Sequence, residues 1–155
     1  MDIDVMLCDH AQVLQGKLFI SGAGIDLVTL PAGAQPPYPV TFSVAGIIRV
    51  PWTATNSEHL LAFRLITEDG RDPLIAGPIP GDGVEAKLGG EMRFNVGRPP
   101  QLASGDEQLV PFSFTFNTLP LMEGGRFALA FELDGTEVRR LKVTVVVPSV
   151  TIQGP

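Results

Sequence analysis

Cys8, Asp9 and His10 stand together near the start of a 155-residue chain and form its densest group of reactive side chains. A thiol beside an imidazole is the raw material of a nucleophile and its base. Asp4, Cys8 and His10 are also of the types that ligate metals. Side chains alternate along an extended strand, so Asp4, Met6, Cys8 and His10 share one face and Asp9 lies on the other. Neighbours two apart then stand side by side, and nothing close in sequence supplies an orienting group or an oxyanion site. The other histidine, His59, is far away in sequence. The favoured reading is a buried inert thiol beside a hydrogen-bonded histidine.

Three carboxylate pairs fall in segments read as loops: Asp69 with Asp72, Asp82 with Glu85, and Asp106 with Glu107. Calcium takes six to eight oxygens, so two such loops would have to meet, and no Asp-x-Asp-x-Asp-Gly spacing occurs. Solvated turn residues are the simpler account. Gly22-Ala23-Gly24 lacks the third glycine and the helix of a nucleotide fingerprint and reads as a bulge. Tyr38 and Trp52, each the sole residue of its type, sit beside prolines. There they could anchor a partner or plug an open end of the fold, and the plug is favoured. No catalytic residue, metal ligand or cofactor is expected.

The elements that would position these residues follow a period of two. Val40, Phe42, Val44, Ile48 and Val50 form one row; Leu61, Phe63 and Leu65 a second; Phe112, Phe114 and Phe116 a third. Phe127, Leu129, Phe131 and Leu133 make a fourth, and Leu141, Val143, Val145 and Val147 a fifth. Asp134-Gly135 between the last two marks a tight hairpin, and Gln15-Gly16 marks another between residues 3–14 and Leu18–Ile20. Residues 31–39, 70–83 and 97–107 read as loops. About eight or nine strands, with no helical stripe, predict an all-β, antiparallel two-sheet sandwich, immunoglobulin-like or a related Greek key. It would occupy residues 1–148 as one domain, with a short tail over 149–155. The expected core is Phe42, Val44, Phe63, Leu65, Phe112, Phe114, Phe116, Phe127, Leu129, Phe131, Val143 and Val145.

Composition narrows the partners. The chain is 45% hydrophobic and 18% charged, below the roughly 25% charged of an average globular protein. Its net charge is −6, and Arg139, Arg140 and Lys142, its one basic run, alternate between two strand faces. Phosphate recognition needs clustered cations, so nucleic acid is not an expected partner. One cysteine implies no disulfide, and no apolar run reaches the roughly 18 residues of a membrane span. The acidic start, Met1-Asp2-Ile3-Asp4, is unlike a signal peptide, so a cytoplasmic protein without membrane insertion is expected.

Two stretches resemble a known family. Met6-Leu7-Cys8-Asp9-His10-Ala11 followed by Gly16-Lys17-Leu18-Phe19-Ile20-Ser21-Gly22 is similar to the opening of a family of short bacterial proteins carrying a domain of unknown function. Leu119-Pro120, Gly125-Arg126-Phe127, Phe131 to Gly135 and the final valine strand fit its close. The resemblance implies a small all-β protein and lends no residue a role.

The outer rows carry the last signal. Ile47, Ala128, Ala130 and Val146 stand where a solvated sheet face would carry Lys, Glu or Thr. With Tyr38 and Trp52 they are the candidate interface of a non-catalytic assembly or protein-binding module, a homo-oligomer or a binder of another protein. The alternative is a small enzyme or ligand- or metal-binding protein with its site at the loop end or around Cys8 and His10.

Overall fold

The computed structural model describes residues 1–149. Residues 150–155, most of the expected tail, lie outside the described residues. Among the described residues eleven strands form: β1 (Asp2–Leu14), β2 (Lys17–Ala23), β3 (Leu27–Thr29), β4 (Tyr38–Pro51), β5 (Glu58–Thr67), β6 (Leu74–Ala76), β7 (Gly83–Glu85), β8 (Leu88–Asn95), β9 (Glu107–Leu121), β10 (Gly125–Leu133) and β11 (Thr136–Val146). They make two sheets, one in the order β2-β1-β4-β9-β6-β7 and the other β3-β11-β10-β5-β8. A 3-10 turn at Trp52–Ala54 leads from β4 in the first sheet to β5 in the second. No helix among the described residues is long and apolar enough to cross a membrane.

The expected eight or nine strands are corrected to eleven. β3, β6 and β7 have three residues each, too few for a period to show. β6 and β7 lie within and just beyond the stretch 70–83 that reads as a loop. β8 is hidden in the sequence because Gly90 interrupts the row Leu88, Gly90, Met92, Phe94, and Gly89 removes a side chain from the opposite row.

The space between the sheets is filled by the predicted rows. Ten of the twelve expected core residues are buried, and Phe114 and Phe116 are half-buried against the same core. Phe63 on β5 meets three phenylalanines, with ring centroids 4.4 Å from Phe114, 5.8 Å from Phe116 and 5.9 Å from Phe131. Phe114 and Phe116 belong to β9 in the opposite sheet, so this stack ties the two layers together. Two rings find room because a glycine faces each. Gly46 pairs with Phe112 and Gly90 with Phe63. A β-carbon on Gly46 would fall 2.3 Å from the Phe112 ring, and one on Gly90 2.9 Å from that of Phe63.

Both predicted hairpins form. Gln15 and Gly16 have φ of 50° and 71°, and Asp134 and Gly135 have 51° and 80°. Two successive positive φ values give the turn whose twist suits a two-residue hairpin. These turns set the register of β1 on β2 and of β10 on β11.

Candidate functional site

β1 has two halves. Asp2 to Cys8 pair with β4, whereas the rest of the strand pairs only with β2. Just past Cys8 the chain rises over the outer face of its own sheet, where the Ser43 hydroxyl reaches the Asp9 carbonyl at 3.5 Å. The sheet curls into a half-barrel, bringing β2 against β9 although β1 and β4 stand between them. Ala11 and Leu18 from the ribbon thereby pack over Cys8 and Ala45. Ser43, Cys8 and Ala45 are fully buried on what alternation marks as an outer row. Small side chains occupy these places because another layer lies on them. The Ser43 hydroxyl is satisfied by Thr115 Oγ1 at 2.9 Å.

This placement parts Cys8 from His10. The thiol is buried and donates to the Ser43 carbonyl at 3.6 Å, while His10 is exposed. Burial, and then the Asp9 charge, push the Cys8 thiol above its ordinary pKa, which suppresses the thiolate that a nucleophile or metal ligand needs. The loop carboxylates stay apart: no group of three or more potential metal ligands converges among the described residues.

Ala128 and Ala130 are buried with Ile66 on the outer face of the second sheet. The register explains why. Ala130 stands between Arg64 and Arg140, and Ala128 between Ile66 and Lys142. Methyl groups between such long neighbours are left 8% and 5% exposed and offer little apolar surface. Arg140 is in turn held by a bidentate pair with Glu137. Val146 is exposed, but β3 pairs beside it through Thr29, so this end of β11 is not a free edge. Ile47 is half-buried on β4. Tyr38 is half-buried and packs against the main core. Trp52 is half-buried beneath Arg98, whose guanidinium lies 3.7 Å from the ring centroid. Arg98 also donates to Thr55 Oγ1 and the Trp52 carbonyl, which fixes the stack.

A run of exposed large apolar side chains lies on the β1–β2 ribbon. Val13, Leu14, Phe19 and Ile20 are 36%, 50%, 49% and 38% exposed. All four fall within six residues of the Gln15-Gly16 turn. β2 ends its sheet, so among the described residues no strand lies on its outer side. The sequence carries this signal: apolar residues crowd both sides of the turn without alternating, so neither face of the ribbon can be wholly polar.

A shallow groove of about 430 Å³ crosses the outer face of the second sheet, floored by Ala62, Gly89 and Ala130 with Arg64, Lys87, Glu91 and Glu132 at its rims. Its mixed charges single out no ligand.

A family described as a family of unknown function, DUF6941, matches residues 4–146. The chain belongs to that family. The DUF6941 match takes in every strand but the first two residues of β1, and it agrees with the resemblance carried by the two ends of the sequence. No curated protein matches the chain. Among solved structures, a β-glucosidase from Listeria innocua in complex with isofagomine superposes on 96% of the chain at a TM-score of 0.42 and 9% identity. The same enzyme in complex with glucose gives 0.41 and 10%. The chain spans only 17% and 16% of those two enzyme chains, and likeness this slight transfers neither fold nor activity.

Proposed function

We propose that this DUF6941 protein is a non-catalytic β-sandwich, of immunoglobulin-like or related Greek-key kind, that works by protein–protein contact and associates with itself. The carrying observation is the ribbon beyond Cys8, which leaves Val13, Leu14, Phe19 and Ile20 in water. Large apolar side chains concentrated on the ribbon that ends a sheet favour burial against another protein surface. The inert state of Cys8 and its separation from His10 favour this reading over a thiol enzyme. The acidic chain suits a protein partner better than nucleic acid, and a lone free thiol suits the cytoplasm of a bacterium. Sedimentation equilibrium at about 10 µM, within the range of specific protein contacts, tests the proposal. A mass that is a multiple of 16.6 kDa is expected, and a single 16.6 kDa species at every concentration overturns it.

A further inference from the structure

We infer that two copies join through their β2 edges, antiparallel about a two-fold axis at Ile20, so that two six-stranded sheets become one. The inference rests on the self-association proposed above and adds its partner and register. β2 reads Lys17-Leu18-Phe19-Ile20-Ser21-Gly22-Ala23: three large side chains, a central isoleucine, then three small ones. Antiparallel pairing centred on Ile20 sets Lys17 opposite the partner's Ala23, Leu18 opposite the partner's Gly22, and Phe19 opposite the partner's Ser21. Every large side chain thus meets a small one, and Ile20 meets its own copy. This register also pairs all seven residues, whereas a slip leaves ends unpaired and turns each row to the other face.

One further feature fits a copy of the same chain. The two Phe19 rings become diagonal neighbours across the axis, a separation aromatic side chains can bridge. A lipid surface fits less well, since the ribbon offers one lysine and the chain carries net charge −6.

Cysteine cross-linking and sedimentation test the register together. Ile20→Cys is expected to form a covalent dimer on mild oxidation, with peptide mapping showing the bond between the two introduced thiols. Val13→Cys, equally exposed but one strand further from the axis on each side, is expected to stay uncross-linked, because about 14 Å of sheet would separate its thiols. Ile20→Lys should weaken association at least about 100-fold by opposing two ammonium groups, with the circular dichroism spectrum unchanged. A wild-type dimer that survives Ile20→Lys and gives no Ile20→Cys cross-link overturns this register and leaves self-association standing. A wild-type monomer overturns both. A monomer that binds phosphatidylcholine vesicles through the ribbon assigns the surface to lipid and likewise overturns both.

Discussion

His59 should make stability depend on pH in a direction opposite to that of an ordinary buried histidine. Its Nδ1 lies 2.8 Å from Asp134 Oδ2 and its Nε2 lies 2.7 Å from the Ala54 carbonyl. Both partners are acceptors. A neutral imidazole has one N–H and can satisfy only one of them, whereas the imidazolium satisfies both. Burial works against the charged form, since only 10% of the side chain is exposed. The Ala54 carbonyl and the Asp134 carboxylate outweigh burial, and the pKa rises above the ordinary 6.5. A group raised in the folded state contributes fully below its ordinary pKa, and that contribution is lost as pH climbs through the folded value. The magnitude follows from two hydrogen bonds. The Ala54 bond is worth about 1 kcal/mol. The Asp134 pair would be worth more if buried, but Asp134 is 44% exposed, and solvent screening holds it to about 1 kcal/mol. His59→Gln should therefore cost about 2 kcal/mol at pH 6, or about 4–8 °C of melting temperature for a domain of this size. By pH 9 the gap should shrink to about half, because neutral histidine keeps one of the two bonds. Thermal melts of both proteins from pH 5.5 to 9 provide the assay, and His10, common to both, cancels in the difference. A gap that does not change with pH would refute the doubly bonded imidazolium.

The same latch should fail in acid: the Leu60 amide, then His59, hold the Asp134 carboxyl below its usual range. Its contribution, present above the ordinary value near 3.8, should vanish as pH falls through the lowered one, and Asp134→Asn should abolish that part of the acid dependence in melts. Gly46→Ala should destabilise the protein by about 1–3 kcal/mol in urea titration, because the new methyl would collide with the Phe112 ring; an unchanged midpoint would contradict this packing. Cys8 should react with a thiol reagent far more slowly in the native protein than in urea, being buried and held protonated. Immediate native labelling would refute that placement.

Much of the layered architecture is legible in the sequence because strand rows are local. Phe112, Phe114 and Phe116 announce their common face, and Asp134-Gly135 announces its turn, without reference to anything distant. What is not legible depends on who stands beside whom. Ala128 and Ala130 look like bare apolar patches in their own strand and become covered only when β5 and β11 bring Arg64, Arg140 and Lys142 alongside. Ser43 and Ala45 look like an outer row and become interior only when the ribbon folds over them. β3 exists because β11 offers it an edge, through Thr144 to Val146, that no three-residue pattern could foretell. The candidate surface moved for the same reason. Exposure of Phe19 and Ile20 follows from β2 being the last strand of its sheet, a property of topology that composition does not carry.

Amide hydrogen exchange of the wild-type protein at two concentrations tests the central claim most directly. Amides on the outer side of β2 face no strand among the described residues, so they should exchange quickly in dilute solution. Protection between Leu18 and Ser21 should rise on concentration, while β4 and β10 inside the sheets stay unchanged. Rapid exchange along β2 that is the same at both concentrations would contradict association through this edge.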